Sequence, residues 1–255
     1  MAPAPGWPRD DERVVSDVDR RILGYMACHP LVLVSHVRAL LGVQEREVTE
    51  RLDALVAAGL VRNGPRLRHQ RAGYQITAGG LREIGSELAV PRLDLRGYWQ
   101  GIGVAWLSVA AHQGQFGEVD RVFCEREMRV ADDRSAAAGQ PVDPGCSPVR
   151  SKAAEASFAI RLDGAVSDPQ APVHYPDVVL VLPQGRVAVE LQLSPVSAGS
   201  LETMLIAYAR KSSIAVVLYL VQDGAVGDAV QAAAARLGLA RLVHVQRFRL
   251  DLAAP

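Results

Sequence analysis

The feature that most constrains this chain is a pair of apolar segments within residues 174–194, HYPDVVLVLPQGRVAVELQLS. Val178–Leu182 is an unbroken apolar run, and Val187–Leu193 is apolar apart from two polar residues. Pro183-Gln184-Gly185-Arg186 lies between them and has the composition of a tight turn, because Pro presets φ and Gly accepts a positive φ. The pattern predicts two adjacent strands joined by a four-residue turn.

Two carboxylates belong to these strands, Asp177 just before the first and Glu190 within the second. A buried carboxylate is costly unless a cation or a hydrogen-bond donor meets it. With a four-residue turn, Asp177 lies opposite Gln192, and residues two apart on a strand share a face. We therefore expect Asp177, Glu190 and Gln192 to form one polar cluster. A slip of one residue in register would place Asp177 on the other face.

Composition sets limits on function. With 255 residues, 49% of them apolar, the chain can build one large or two small cores, and its formal net charge of zero does not favour strong overall attraction to nucleic acid. A local basic patch remains open. The three cysteines show no metal-ligand spacing, and their odd number suits a reducing cytoplasm, so we predict a cytoplasmic protein whose cysteines are ordinary core or surface residues. No segment has the length and apolarity of a membrane span. Residues 1–15 are predicted to be a flexible tail.

The N-terminal part is predicted to hold three helices. Ser16 is a candidate N-cap for the first, the second covers 32–41 and ends at Gly42, and the third covers 44–58 and ends at Gly59. The short connection at Gly42 has the spacing of a helix-turn-helix. A short strand at 60–62, a turn at 63–65 and a returning strand at 66–77 follow.

This segment, which includes AAGLVRNGPRLRHQRAGYQITAGGLREIG, resembles the winged-helix DNA-binding domains of bacterial regulators. The resemblance implies contact with double-stranded DNA, and arginines without intervening acids suit phosphate contact. The expected DNA-binding residues are, in the third helix, Gln44, Arg46 and Thr49, and, in the wing, Arg62, Arg66, Arg68 and Arg71. Glu45, Glu47 and Glu50 act against this interpretation, and a winged helix that contacts protein is the alternative.

From Asp94 onward the predicted order is helix, strand, a two-stranded hairpin, helix, strand, helix and strand. A mixed sheet flanked by helices is the natural packing for that order. Tyr208, on the helix after the hairpin, is expected to be a packed core aromatic, and a tyrosine that faces the acid pair is the alternative. Lys211 at the end of that helix is weighed both as a substitute for a catalytic lysine and as a helix-terminal charge.

The hairpin resembles the core of the PD-(D/E)XK nuclease superfamily, in which an Asp after a Pro and a Glu on the next strand hold a divalent metal. Asp177 and Glu190 match that pattern as metal ligands, and Mg²⁺ is the cofactor that the resemblance allows. Gln192 stands where a lysine is usual, and a neutral amide does not act as a general base. The predicted catalytic set is Asp177, Glu190 and Gln192, and a structural acid pair without activity is the alternative.

Taken together, the winged helix, YWQGIGVAWLSVAAHQG, FCEREMR and the hairpin look like the replication-relaxation family of bacterial plasmids and mobile elements. The predicted fold class is α/β, with an N-terminal winged helix-turn-helix domain at 16–90 followed by a mixed-sheet PD-(D/E)XK nuclease-like domain at 91–255. The family implies a DNA-binding role in replication or relaxation of DNA.

Three functions remain open at this point. The second domain is either a nuclease-like fold with weak or no activity, a Mg²⁺-dependent endonuclease, or the dimerisation or sensing part of a transcription regulator. The expected partners are double-stranded DNA and other proteins of the mobile element, without a membrane, and self-association into a homodimer stays open.

Overall fold

The computed structural model describes residues 15–64, 73–95, 97–137, 157–162 and 172–249, which form an α/β fold. The helices of these residues are α1 (Asp17–Cys28), α2 (Val34–Leu41), α3 (Glu45–Ala57), α4 (Ala78–Glu83), α5 (Tyr98–His112), α6 (Glu125–Ala137), α7 (Ala198–Ala209) and α8 (Gly224–Arg236). The strands are β1 (Val32–Leu33), β2 (Val61–Asn63), β3 (Gly73–Ile76), β4 (Arg121–Cys124), β5 (Ile160–Arg161), β6 (Val173–His174), β7 (Val178–Leu182), β8 (Gly185–Gln192), β9 (Ile214–Val221) and β10 (Val243–Arg247).

Two predicted segments fall outside the described residues in whole or in part. Residues 1–14 of the predicted tail lie outside them, and so do residues 65–72, which carry three of the four wing arginines, Arg66, Arg68 and Arg71.

Local signals set the ends of the first helices. The Ser16 side chain accepts a hydrogen bond from the Asp19 main-chain N–H, and the Asp19 carboxylate accepts from the Ser16 N–H in return, so α1 begins with a capping box. Gly42 ends α2 with φ of 71°, a left-handed conformation that glycine adopts without a Cβ clash. The predicted N-cap and the predicted end at Gly42 are confirmed.

The beginning of α2 differs from the prediction. Val32 and Leu33 form β1, which pairs antiparallel with β3, and the helix begins two residues later at Val34. The main-chain N–H of Leu33 donates to Nδ1 of His36 at 3.1 Å, which satisfies a donor at the helix start. Two adjacent apolar residues are too few to show the periodicity of a strand or a helix. A strand of this length therefore could not be distinguished from the start of the helix in the sequence.

The first core lies between α1–α4 and a three-stranded antiparallel sheet of order β1-β3-β2. Ile22 and Met26 of α1 meet Val48 and Leu52 of α3 there, and all four are fully buried. The apolar stripes that the sequence shows on α1 and α3 are the surfaces that form this core.

The second core surrounds a mixed five-stranded sheet of order β10-β9-β8-β7-β4. Strands β7 and β8 form an antiparallel hairpin, β9 is parallel to β8, and β10 is parallel to β9. Side chains of α5 pack on one face of this sheet, and those of α7 and α8 pack on the other face. The expectation of a mixed sheet flanked by helices is confirmed.

The register of the hairpin corrects the predicted turn. Leu182 pairs with Gly185, not with Val187, so the turn holds two residues, Pro183 and Gln184. Gly185 has φ of 143°, which is in the region open to glycine. Extending this register places Asp177 opposite Glu190 instead of Gln192. The shift is two residues, and because the side-chain period of a strand is two, the same residues still share a face.

Helix α5 belongs to both cores. Ala105 and Val109 pack in the first core with α1 and α3, while Leu107 and Ala111 pack against β7 and β8 in the second. The hydroxyl of Tyr25 on α1 donates to the Ala105 carbonyl of α5 at 2.8 Å in a buried environment. The two cores are therefore packed together through α5, and the residues before and after the predicted boundary at residues 90 and 91 are called the first and the second unit below.

Among the described residues, no helix has both the length and the apolar character that crossing a lipid bilayer requires.

Removing the buried hydrogen bond between α1 and α5 tests this packing. We expect Tyr25→Phe to lower the free energy of unfolding by about 1 kcal/mol, because the Ala105 carbonyl loses its donor in a buried site. For a chain of this size, that loss corresponds to about 2–4 °C in the thermal midpoint.

Tyr74→Phe is the matched control, because Tyr74 is a buried tyrosine of the same core for which the described contacts include no side-chain hydrogen bond. Equal thermal midpoints for Tyr25→Phe and the parent chain would contradict the contribution of this hydrogen bond.

Candidate functional site

The predicted acid pair lies at the open end of the β7–β8 hairpin. Asp177 precedes β7, and its Oδ2 accepts hydrogen bonds from the Leu191 main-chain N–H at 2.8 Å and from Nε2 of Gln100 at 2.9 Å. Gln100 also donates to the Leu191 carbonyl at 2.8 Å. The Gln100 side chain of α5 thus bridges the two strands at this end and fixes the orientation of the Asp177 carboxylate.

Glu190 lies in the middle of the same polar cluster and is buried. Its Oε1 is 2.6 Å from Nε2 of His174, on β6, and it also accepts a hydrogen bond from the hydroxyl of Tyr208, on α7. A carboxylate in an apolar strand is thus supplied with donors from two other elements, as its burial requires.

The surroundings of the acid pair change the pKa values of Asp177, His174 and Tyr208. Burial, followed by the charge of Glu190, raises the pKa of Asp177 to about 7, against the hydrogen bonds of Leu191 and Gln100, which lower it. Burial lowers the pKa of His174, but the hydrogen bond and charge of Glu190 outweigh it, so the net shift of the His174 pKa is upward. Burial and the nearby Glu190 also raise the pKa of Tyr208. The two carboxyl groups repel each other when both are ionised, and a cation would relieve that repulsion.

The oxygen atoms left at the pair suit a hard divalent cation. In the described part of the chain, the hydrogen bonds to Asp177 end on Oδ2, and those to Glu190 end on Oε1. Oδ1 of Asp177 and Oε2 of Glu190 are the atoms that remain for coordination. Mg²⁺ accepts one or two carboxylates together with water and phosphate oxygens, so the donor set fits the ion.

Neither candidate for the lysine role is engaged with the pair. Nε2 of Gln192 donates to the Ser194 carbonyl at 2.6 Å, although strand alternation places the residue on the face of Glu190. Nζ of Lys211 donates to the Ala159 carbonyl at 3.1 Å, where it secures the segment before β5. Neither residue therefore supplies the positive charge that the lysine of a PD-(D/E)XK site places beside its two carboxylates.

Three members of the cluster were not predicted from the sequence. Gln100 was absent from the predicted site because α5 was assigned only to the core, and His174 because β6 is a two-residue strand. Tyr208 was expected to be a packed aromatic; it is fully buried, but its hydroxyl meets Glu190. Its spacing from the hairpin was the only sequence signal for that contact.

The predicted DNA-binding residues of α3 lie near its N-terminal end. Gln44 is the N-cap residue and is exposed, but its side chain makes no capping hydrogen bond. Nε of Arg46 donates to the Glu50 carboxylate at 2.7 Å, and the Thr49 hydroxyl donates to the Glu45 carbonyl at 3.0 Å. Pairing with Glu50 offsets the charge of Arg46, although an exposed pair of this type is weak and readily exchanged for a phosphate.

Arg62 is the one predicted wing arginine among the described residues. It is exposed on β2, where it pairs in register with Gln75 of β3. Together with Arg92 it lines an open depression of about 850 Å³ between β2 and the segment that leads to α5. Two arginines in one depression form a local basic surface on a chain whose net charge is zero.

No protein-family model matches this sequence, and no curated protein matches it either. Solved structures that match include an O-methyltransferase family protein from Burkholderia thailandensis, with 14% sequence identity and a TM-score of 0.21. The comparison covers 91% of this chain and 60% of that chain, so this chain spans less than two thirds of the other protein's length. A TM-score this low carries no argument about fold or function.

The raised pKa of Asp177 predicts a pH-dependent stability. Because the folded-state pKa of about 7 lies above the usual 3.8, the folded chain holds this proton more tightly than the unfolded chain. The resulting stabilisation is complete below pH 3.8 and is lost as the pH rises toward 7. We expect Asp177→Asn to raise the thermal midpoint at pH 8, by an amount equivalent to at most about 4 kcal/mol, and to have much less effect at pH 4.5.

Thermal unfolding of both proteins across this pH range is the measurement. Asp228→Asn, which removes an exposed carboxylate of α8, is the control and should leave the midpoint nearly unchanged at either pH. If Asp177→Asn destabilised the chain equally at pH 4.5 and pH 8, Asp177 would not have a raised pKa.

Proposed function

We propose that this chain is a DNA-binding protein that acts in replication or relaxation of plasmid or mobile-element DNA, and that its second unit has a nuclease-like site without efficient cleavage activity. The observation that carries the proposal is the placement of Asp177 and Glu190 at one end of the hairpin, where extending the β7–β8 register puts them opposite each other and where burial and the charge of Glu190 raise the pKa of Asp177.

The arrangement of the first unit supports binding to DNA. Helices α1–α3 followed by β2 and β3 have the order of a winged helix, in which α3 enters the major groove and the β2–β3 connection contacts the backbone. The exposed N-terminal end of α3 and the exposed Arg62 belong to the surfaces that this geometry would present. Glu45 and Glu47 in the first turn of α3 favour the helix itself, since they interact well with its dipole.

The order of the second unit supports a nuclease-like core. Helix α5 precedes β4, and the hairpin is followed by α7 and then by β9, which extends the sheet in parallel. The acid pair is on the hairpin in this order, and the adjacent α7 supplies Tyr208 to it. The proposed PD-(D/E)XK character rests on this order together with the acid pair.

The chemistry around the pair supports weak activity. A divalent cation held by Asp177 and Glu190 would polarise a phosphate and lower the pKa of a bound water. Among the described residues, no lysine lies beside that position, since Gln192 contacts the Ser194 carbonyl and Lys211 contacts Ala159. His174 also makes a hydrogen bond with Oε1 of Glu190. Its raised pKa favours the charged imidazolium, which competes with a metal ion for the Glu190 carboxylate near neutral pH.

Arg62 offers a test of DNA binding. We expect Arg62→Gln to weaken binding to a duplex by roughly tenfold or less, and to reduce the slope of log affinity against log salt by about 1, because one phosphate contact is lost. The double variant Arg66→Gln/Arg68→Gln replaces two wing arginines that were predicted from the sequence, and it should reduce the slope by about 2. Fluorescence anisotropy over a salt series measures both quantities.

Arg236→Gln is the control, because Arg236 lies on α8 in the second unit and is paired with Glu202 at 2.7 Å. Unchanged affinity and slope in all the wing variants would show that this surface does not bind DNA, and the first unit would then be a protein-contact module.

A second candidate function, a Mg²⁺-dependent endonuclease, is favoured by one observation. Asp177, just before β7, and Glu190, on β8, lie at one end of the hairpin, and burial and the charge of Glu190 raise the pKa of Asp177, an arrangement that a divalent metal would stabilise. In that function, Asp177 and Glu190 hold the metal, and Gln192 must turn away from Ser194 to orient the attacking water.

Restoring the lysine separates the two functions. With supercoiled plasmid and Mg²⁺ or Mn²⁺, we expect no nicking by the parent chain and detectable nicking by Gln192→Lys, because an ammonium group beside the pair supplies the missing charge. A gain of about 10²-fold over background is the scale of a positioned acid–base group. Asp177→Asn/Gln192→Lys is the matched control and should be inactive.

Nicking by the parent chain that Glu190→Gln abolishes would replace the proposal with the endonuclease function. If neither the parent chain nor Gln192→Lys nicks the plasmid with either metal, the pair does not have nuclease geometry.

A further inference from the structure

Two cysteines that are distant in the sequence meet between the two units. Cys28 is the last residue of α1, Cys124 is the last residue of β4, and Glu127 lies in the first turn of α6. The two Sγ atoms and a carboxylate oxygen of Glu127 all lie within 4.8 Å of one another. These cysteines have no metal-ligand spacing along the chain, and the expectation that each is an ordinary core or surface residue does not account for this cluster.

The main chain holds the three groups in place. The Cys124 N–H donates to Oε2 of Glu127 at 3.0 Å, so the first turn of α6 closes back on the end of β4. Arg126, between them, donates to the carbonyl of Ala27 at the end of α1 and to the carbonyl of Ala89. The cluster is therefore anchored on both sides, and the side chains do not need to move far to share a ligand.

A cavity of about 290 Å³ adjoins the cluster, and its lining includes Cys28, Cys124 and Glu127 together with His29 and His112. Nδ1 of His112 lies 2.6 Å from the Ser108 carbonyl. A carbonyl only accepts, so Nδ1 carries the proton and Nε2 of the neutral ring keeps its lone pair. Metal-binding imidazoles are commonly oriented by such a bond to a main-chain carbonyl.

The electrostatics of the cluster favour a cation. Three acidic groups in a small space repel one another when ionised, and a divalent ion would remove that penalty.

We propose that Cys28, Cys124 and Glu127 bind one divalent cation of the zinc class, with His112 as the candidate for the fourth ligand. Thiolates are soft ligands that select zinc over magnesium, and in a tetrahedral zinc site two sulfur atoms are about 3.8 Å apart, a separation compatible with this cluster. Binding displaces the two thiol protons into solvent. The site is separate from the acid pair of Asp177 and Glu190, and it does not depend on the proposed function.

The position of this site gives it a structural role. Cys28 belongs to the first unit, while Cys124 and Glu127 belong to the second, so one ion would join α1 to β4 and α6. We expect the metal to stabilise the packing of the two units, because ligands that are far apart in sequence come together only in the folded chain.

The metal content of the full-length chain tests the proposal. Protein is purified with a reductant, stripped with a chelator and titrated with ZnCl₂, and bound zinc is measured by inductively coupled plasma mass spectrometry. We expect one zinc per chain in the parent protein and no stoichiometric zinc in Cys28→Ser or Cys124→Ser. Cys146→Ser, at a cysteine outside the described residues, is the matched control and should keep the full content.

Two further measurements keep the outcome clear if a serine variant folds poorly. Substitution with Co²⁺ should produce a thiolate-to-cobalt charge-transfer band in the parent chain, and Glu127→Gln should weaken zinc binding by roughly tenfold or more while retaining an oxygen acceptor for the Cys124 N–H. Asp177→Asn should leave the zinc content unchanged, which separates this site from the acid pair.

The absence of stoichiometric zinc and of the cobalt band in the reduced parent chain would overturn the proposal. Full zinc content in both Cys28→Ser and Cys124→Ser would also overturn it. So would a Cys28–Cys124 disulfide found by non-reducing peptide mapping in metal-free protein that was purified without oxygen, because the pair would then be a crosslink.

Discussion

The constraint on which the second unit depends is the placement of two carboxyl groups, Asp177 and Glu190, in a sheet whose other side chains are mostly apolar. Their mutual repulsion and burial raise the pKa of Asp177 to about 7, so the folded chain stores an unfavourable interaction at neutral pH. His174 and Tyr208 supply donors to Glu190, and Gln100 supplies one to Asp177. Strain of this kind is typical of sites that exist for a ligand, since binding a cation would relieve it.

The two units are coupled by shared parts and not by a flexible linker alone. Helix α5 places Ala105 in the first core, Leu107 in the second, and Gln100 at the acid pair. The cluster of Cys28 and Cys124 joins the same units at another point. A chain that binds DNA through its first unit would therefore present the acid pair of its second unit in a defined orientation relative to the duplex.

Much of the fold follows from the sequence, and the misses have identifiable causes. The capping signal at Ser16 and the glycine at 42 are local, and each was predicted at the correct place. The turn of the hairpin was predicted two residues too long, because its composition suits turns of either length, but the two-residue period of a strand preserved the common face of Asp177 and Glu190. The partners of that pair, such as His174 on a two-residue strand, come from long-range packing, which no local pattern encodes.

The most direct test is a measurement of the ionisation of Asp177. The carbon-13 chemical shift of its carboxyl group is recorded in the full-length, metal-free chain across the pH range. The account predicts a midpoint near 7 that falls when Glu190 is replaced by Gln, because the charge of Glu190 is one of the two causes that raise this pKa. A midpoint near the usual 3.8, unaffected by Glu190→Gln, would show that the two carboxyl groups do not share a site, and would contradict the account.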